Sequence, residues 1–550
     1  MSNENHTSAK SADSGNFLMQ GSILAMAGIL VRLIGLFYKV PMTRIMGREG
    51  IGYYNTAYEI YNIGLILSSY SLPLAISKLI AARRVRGRFQ DARRVYLCGM
   101  AFGVAVGAVM TAVLLFGSSW ITEHIFRSPG SALPLAVMAP TVLVFSVMGI
   151  MRGYFQGFGN MIPTSVSQVI EQIIHAAVSI TASYLFLRWF ADTANPASYS
   201  AAGGTLGTLT GALAALIFLS CQMLRHRKKQ AALYRQPQTV STETWKQVFF
   251  ALLLTLTPII LSQFVYQLSG TVDNSLFGQI MDGKGLSEKE RMSLLGVYGG
   301  EYRLLTNVPV AIASSLGTSM IPSIVASKTS RDGAAVQHKI RLTVKFNMLI
   351  AIPCAAGMCV LAGPIMRLIF GDSSDLARNL LTIGAPAVIF FSLSTVTNAV
   401  LQGIDLMRKS VTHSAISLAI HTVFVYVMLQ HLNMGVYGLV IGNVTFALVV
   451  CVLNWFAIGR ALRYHQEVKT TFLLPLFSAA VMGAAALAVY AGITALTGRY
   501  QLGILVSVPL AMVVYGVLII RTGAVTEEEL PDMPFGMRLL RLCRRLRLLP

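Results

Sequence analysis

The sequence predicts an all-α integral membrane protein of about 14 transmembrane helices, made of two homologous six-helix lobes plus two C-terminal helices. Three observations predict it. Of the 550 residues 54% are hydrophobic and only 12% charged, where a soluble chain of this length carries about a quarter charged. Apolar runs long enough to cross a bilayer, each about 20 residues, recur along the chain. Lys and Arg then crowd into every second loop.

The first 16 residues, MSNENHTSAKSADSGN, are polar and read as a disordered cytoplasmic tail (1–16). No charged segment, short apolar core and small-residue cleavage site follow one another there, so the first apolar run is kept as a helix. Spanning helices are expected near 18–43, 56–82, 95–117, 131–155, 162–188, 201–224, 245–279, 294–325, 339–363, 378–402, 410–430, 435–458, 471–494 and 502–521. Loops after even-numbered helices hold Arg83, Arg84, Arg86, Arg88, Arg93 and Arg94, then Arg225, Arg227, Lys228 and Lys229, then Lys328, Arg331, Lys339 and Arg341, and so on to the tail with Arg538, Arg541, Arg544, Arg545 and Arg547. Loops after odd-numbered helices are poorer in Lys and Arg or balanced by acids, as in MDGKGLSEKER (281–291). Both termini are therefore expected in the cytoplasm. The tail segment MRLLRLCRRLRLL (537–549) spaces Leu and Arg as a basic amphipathic helix on the inner leaflet would; a disordered basic tail is the other reading.

An internal repeat is legible. YFQGFGNMIPTSVSQVIEQIIHAAVSI (154–180) aligns with VLQGIDLMRKSVTHSAISLAIHTVFVY (400–426) at a shift of about 246, placing Gln156-Gly157 on Gln402-Gly403 and His175 on His421. At nearly the same shift YEIYNIGLILSSYSLPLAISKLIA (58–81) matches YRLLTNVPVAIASSLGTSMIPSIVAS (302–327). The expected organisation is an N-lobe over 17–224, a basic cytoplasmic linker over 225–244, a C-lobe over 245–466, two further helices over 467–522 and a basic cytoplasmic tail over 523–550. Parallel repeats of this kind point to a transporter with a central cavity between lobes.

The formal charge of +21 belongs with anionic lipid at the cytoplasmic face rather than with nucleic acid. The six cysteines are scattered, mostly in apolar runs, and suggest neither a disulfide framework nor a metal site. HExxH, P-loop, GxSxG and CxxC motifs are missing and the loops are short, so no enzyme activity is expected.

Charges inside apolar helices are the functional signal, because each costs at least ~2.5–3.5 kcal/mol near the bilayer centre and so faces a cavity or a partner. They are Arg32 and Lys39, seven apart on one face of helix 1; Glu59; Glu171 and His175; Asp273, followed by Asn274; Glu301 and Arg303; and His421. Pro41 is expected to disturb helix 1 just beyond Lys39. Arg32, Lys39 and Arg303, with Glu59 nearby, suit a polyanion, and guanidinium forks suit phosphate oxygens. A pyrophosphate held between Arg32 and Arg303, which lie on different repeat copies, is the expectation. Against it stand snorkelling for Lys39, helix bracing for the arginines and neutralisation of an arginine for Glu59. Glu171 and His175, at i and i+4, form either a structural pair or a proton relay; His421 is either a relic of duplication or functional. Asp273, Asn274 and His421 are the cation-coupling candidates. Gly35, Gly64 and the prolines within helices are either hinges or packing sites.

The segments RLIGLFYKVPMTRIMGREGIGYYNTAYEIYNI, SLPLAISKLIAARRVRGRFQDARRVY, RGYFQGFGNMIPTSVSQVIEQI and EYRLLTNVPVAIASSLGTSMIPSIVAS resemble the stage V sporulation protein B type of polysaccharide flippase. That group sits in the multidrug/oligosaccharidyl-lipid/polysaccharide exporter superfamily beside the MurJ-type lipid II flippases. The resemblance covers roughly residues 17–520. It implies a V-shaped two-lobe bundle of 14 helices working by alternating access on undecaprenyl-pyrophosphate-linked cell-wall precursors. It implies that Arg32 and Arg303 match the helix 1 and helix 8 arginines of MurJ-type proteins and that Asp273 matches the acid of a helix 7 sodium site. The second helix 1 arginine of that pattern falls at Tyr38, with Lys39 beside it, and the helix 2 arginine pair falls near Ile63-Gly64. Tyr38 joins the substrate-binding candidates on this ground. No cofactor is expected, with Na+ or H+ as the candidate coupling ion. The expected partners are a lipid-linked glycan and membrane lipids, acting on a monomer in the bacterial cell membrane. The competing reading is a cation-coupled multidrug extruder of the same fold.

Overall fold

The computed structural model describes residues 3–235, 243–329, 332–464, 466–530 and 536–545. Among them every regular element is helical. The chain forms two compact units, Met1–Gly296 and Val297–Pro550.

The first unit holds α1 (Asn3–Ser68), α2 (Leu72–Val85), α3 (Phe89–Trp120), α4 (Ala132–Met138), α5 (Pro140–Gly157), α6 (Ile162–Trp189), α7 (Pro196–Arg235), α8 (Trp245–Gly283) and α9 (Glu288–Gly296). Helix α1 begins inside the segment read from sequence as a disordered tail. It runs straight through Pro41 and breaks instead at Gly47, where φ is 67° and ψ −179°. Only glycine adopts that backbone without strain, so the glycine, not the proline, divides the first two expected helices. Helices α8 and α9, assigned by the repeat to the second copy, pack in this unit against α1, α2 and α3.

The core of the first unit explains several glycines. Helices α6 and α7 cross on a stripe at Gly203, Gly207 and Gly211: a Cβ at these positions would meet Ala182 O at 2.5 Å, His175 O at 2.7 Å and Glu171 O at 2.6 Å. Small residues at every fourth position let membrane helices approach backbone to backbone. Gly64 is likewise a packing site, with Leu114 filling the place of its missing side chain.

The second unit opens on a π-helical turn, Val297–Tyr302. It continues with α10 (Arg303–Thr329), α11 (Gly333–Val360), α12 (Ala362–Ile369), α13 (Asp375–Gly384), α14 (Pro386–Gly403), α15 (Met407–Gln430), α16 (Val436–Leu462), α17 (Leu474–Thr497), α18 (Tyr500–Arg521) and α19 (Gly536–Arg545). The basic tail is thus helical over α19. Its buried Leu540 joins a small apolar cluster with Leu349, Val525 and Leu530, and Arg544 pairs with Glu527 at 2.6 Å.

Twelve helical stretches among the described residues are long and apolar enough to cross a membrane. One of them, Met26–Val85, has 60 residues. At 1.5 Å per residue it would reach about 90 Å, three times the hydrocarbon core, and it contains both the Gly47 break and a turn at Ser69–Ser71. The chain is a multi-pass membrane protein.

Candidate functional site

The sequence-selected residues fall into a group in each unit. In the first unit Tyr38 is buried. Its hydroxyl lies 3.3 Å from His175 Nε2, and the two rings are 5.0 Å apart. Thr208 Oγ1 stands 3.3 Å from the same nitrogen. His175 therefore faces Tyr38 and Thr208, and the expected Glu171–His175 pair does not form. Glu171 turns instead to Arg152, whose Nη2 lies 2.8 Å from its carboxylate and whose Nε donates to Ser167 at 3.0 Å. The Glu171 carboxylate, at 18% exposure, and the Arg152 guanidinium, at 10%, thus neutralise one another. Lys39 is half-buried, with its ammonium 5.6 Å from the Tyr58 ring centroid, close enough for a cation–π contact. Arg32 is exposed and Glu59 half-buried.

Asp273 on α8 is fully buried and Asn274 nearly so. Two residues before Asp273 the Thr271 hydroxyl is buried without a hydrogen-bond partner. Carboxylate, amide and hydroxyl oxygens are the hard donors an alkali or alkaline-earth cation takes. Among the described residues no group of three His, Cys, Asp or Glu side chains converges as a metal site.

In the second unit the π-helical turn presents Glu301, buried at 3% exposure, next to Arg303, which is half-buried. The Arg303 guanidinium lies 5.8 Å from the Tyr298 ring centroid. Tyr298 stacks on Tyr302, centroids 5.8 Å apart, and both hydroxyls are fixed: Asn443 donates to that of Tyr298, and that of Tyr302 donates to Gly384 O at 3.3 Å. The repeat shift of 244 puts Tyr54 and Tyr58 at the same places in the first unit, where they stack at 6.1 Å. Each copy thus sets one cation over one ring of a stacked tyrosine pair, Lys39 over Tyr58 and Arg303 over Tyr298. His421 is buried with Nδ1 2.9 Å from Gly442 O and its ring 5.7 Å from Phe446. Its contacts to backbone and ring are those of a packed core histidine.

Sequence reasoning missed Arg152 and the tyrosine pairs. Arg152 opens the quoted RGYFQG stretch, and its burial was the missing cue. The tyrosine pairs emerge only when the repeat is read past hydrophobicity to residue type.

Comparison with known proteins places this geometry. A family model described as polysaccharide biosynthesis protein matches residues 17–328, and one described as MatE matches 258–427. The stage V sporulation protein B of Bacillus subtilis (strain 168) is 25% identical over 453 residues, covering 82% of this chain and 85% of that protein. The lipid II flippase MurJ of the same organism is 26% identical over 487 residues, covering 85% and 87%. Among solved structures, a lipid II flippase MurJ in an inward closed conformation superposes with a TM-score of 0.63 at 13% identity, covering 90% of this chain and 97% of that one. An inward-facing multidrug resistance MATE family transporter of the MOP superfamily also gives 0.63, at 14% identity, covering 81% and 99%. With a model matched over more than half of its length, the chain belongs to the polysaccharide biosynthesis protein family.

Proposed function

We propose that this protein is a flippase that moves an undecaprenyl-pyrophosphate-linked cell-wall precursor, lipid II or a related polysaccharide lipid, from the inner to the outer leaflet by alternating access. The observation that carries the reading is a likeness to a protein named as a lipid II flippase over 85% of this chain. The residue chemistry supports it. Arg32, Lys39 and Arg303 offer fixed cations to a pyrophosphate, Arg through a bidentate fork and Lys as a point charge. Charge-assisted hydrogen bonds of this kind contribute about 1.5–3 kcal/mol each. Lys39 lies over the Tyr58 ring and Arg303 over the Tyr298 ring, a contact that attracts each cation to the ring face. The protein carries out no covalent step. It works as a monomer of 14 spans with both termini cytoplasmic: the Met26–Val85 stretch counts as two crossings and α10 as one more. Asp273 and Asn274 would hold a coupling Na+, whose gradient would drive transport; a proton at Asp273 is the alternative coupling ion.

The second reading, a cation-coupled multidrug extruder, draws on the MATE likeness, which at 14% identity concerns fold alone. Cationic drugs and cationic side chains repel, so the flippase reading is preferred. The test is leaflet accessibility of lipid II in cells stripped of other flippases and carrying this protein or its variants. Arg303→Ala and Arg32→Ala should each lower translocation at least tenfold at normal membrane abundance, and Arg303→Lys should retain part of it. Normal translocation by abundant Ala variants rejects the role of these residues. No lipid II translocation by the unmodified protein, with drug efflux in its place, rejects the flippase.

A further inference from the structure

In the first unit the segments 83–94 and 243–250 meet where α2 and α3 pack on the start of α8. Together they hold six arginines and Lys246 against two acids, Asp91 and Glu243. Asp91 is buried in the turn. Glu243 is taken by Arg83, itself buried, whose Nε donates to the carboxylate at 2.9 Å. Arg88 stands 3.9 Å from the same carboxylate, and Arg94 donates to the Glu243 main-chain oxygen. One carboxylate thus serves a cluster of guanidiniums, and this end of the helices keeps an excess of positive charge. A guanidinium has five N–H donors, and the Glu243 contact of Arg94 takes one of them.

The residues of α8 that follow are sorted by face. Val248, Leu252 and Leu256, four apart, enter the apolar core with Leu72, Ile76 and Val95. Trp245 and Phe249 flank that stripe and lie against α3. The Arg94 guanidinium is 5.8 Å from the Trp245 ring centroid, and the Phe102 and Phe249 rings are 6.2 Å apart. Trp245 nevertheless stays 50% exposed, and Phe250 beside Phe249 is 62% exposed. The α3–α8 flank is therefore an aromatic strip open to hydrocarbon, with cations crowded at one end. Exposed apolar side chains are ordinary on a membrane protein, but rings directly below an arginine cluster narrow the partner. A soluble anion uses the arginines and leaves the strip idle. A neutral lipid covers the strip and leaves the charge unanswered. An anionic phospholipid does both: its phosphate oxygens accept from guanidinium and ammonium groups, an indole suits the headgroup level, and an acyl chain covers the phenylalanines.

We propose that the α3–α8 flank is a binding site for one anionic phospholipid, with Arg94 and Lys246 on its phosphate and Trp245 and Phe249 along the upper part of its acyl chain. The lipid ties the start of α8 to α3. The assignment does not depend on the flippase reading. The chain has four tryptophans, so Trp120→Phe, Trp189→Phe and Trp455→Phe together leave Trp245 as the sole indole. This protein is placed in phosphatidylcholine nanodiscs with a rising share of phosphatidylglycerol brominated in the upper half of its chains. Trp245 fluorescence should be half quenched at a mole fraction at least fivefold lower than brominated phosphatidylcholine requires. Lys246→Gln, a change at an exposed position, should narrow that preference at least twofold, and Arg94→Gln added to it should abolish the preference. A protein that keeps only Trp189, at the opposite end of α6 from the Arg84–Phe158 contact, should show no preference. Equal quenching by the two lipids at Trp245, a preference that survives the double variant, or the same preference at Trp189 each overturns the site. Competition separates the two sources of a lipid phosphate. Unbrominated phosphatidylglycerol should restore Trp245 fluorescence at a lower mole fraction than undecaprenyl pyrophosphate does; if the prenyl pyrophosphate competes as well or better, the strip belongs to the transported lipid and the phospholipid assignment falls.

Discussion

Lys345 is the most buried lysine described, at 1% side-chain exposure, and it meets both oxygens of Glu529, at 2.8 and 2.7 Å. Burial by itself pushes the Glu529 carboxyl up. The hydrogen bond and charge of Lys345, with the Thr526 N–H at 3.1 Å, outweigh it and hold the carboxyl below its ordinary value. A carboxyl depressed in the folded state adds stability that is fully present above its ordinary value of about 4.3 and is lost as pH falls through the depressed one. The tail beyond α18 should therefore stay docked at neutral pH and release only in strong acid. Cys543 on α19, 3% exposed, reports the docking. Glu529→Gln should speed its reaction with dithiodipyridine at pH 7 about tenfold, equivalent to about 1.4 kcal/mol of docking, and the unmodified protein should match that rate only well below pH 4. Equal rates for both proteins at pH 7 would show that the pair does not hold the tail. None of this was legible in the sequence, because Lys345 and Glu529 lie 184 positions apart. The intramembrane charges were legible as a class, since any charge in an apolar run needs an explanation. Their partners were not: the i, i+4 spacing of Glu171 and His175 suggested a pair, while Arg152, on another helix, has the charge that a buried carboxylate requires.

At the scale of elements, the α6–α7 crossing depends on a three-glycine stripe, and that crossing also positions His175. A side chain at Gly207 would strike Ser179 N at 2.6 Å and His175 O at 2.7 Å. It would pull apart the Ser179 Oγ–Gly204 O bond of 2.7 Å and the Thr208–His175 contact of 3.3 Å. Overpacking of this kind costs about 1–3 kcal/mol or more. Gly207→Leu should lower the thermal midpoint of the purified protein by several degrees, whereas Gly28→Leu, with nothing within 4 Å of its Cβ, should leave it unchanged; equal midpoints for the two would remove the stripe from the stability account. Hydrophobic run length predicted the helices themselves, because a span needs about 20 apolar residues whatever its neighbours. It did not predict the Gly47 break. Proline advertises a kink in any sequence, but a helix tolerates it where neighbours satisfy the freed carbonyl, and a glycine becomes a break only when tertiary packing selects its left-handed conformation.

At the scale of the whole molecule, the charge excess predicts an orientation that labelling can test. The formal charge of +21 is concentrated in the loops after every second span expected from the sequence and in the tail. Each basic residue near an anionic leaflet contributes about 1 kcal/mol, so the loop over Arg83–Arg94 alone, with six arginines, favours the cytoplasmic side by several kcal/mol. The turn between α8 and α9 has no such bias: Lys284 and Lys289 are offset by Asp282, Glu288 and Glu290. Arg86 and Lys284 are both exposed, which makes them clean reporters of the two sides. In intact cells, Arg86→Cys should resist a membrane-impermeant maleimide until the membrane is permeabilised, and Lys284→Cys should react at once. Reaction at Lys284→Cys from outside puts the turn between α8 and α9 at the outer face, across the membrane from Arg86. Reaction at Arg86→Cys from outside would invert the topology, because the six arginines of Arg83–Arg94 would then face away from the cytoplasm and the charge argument would fail.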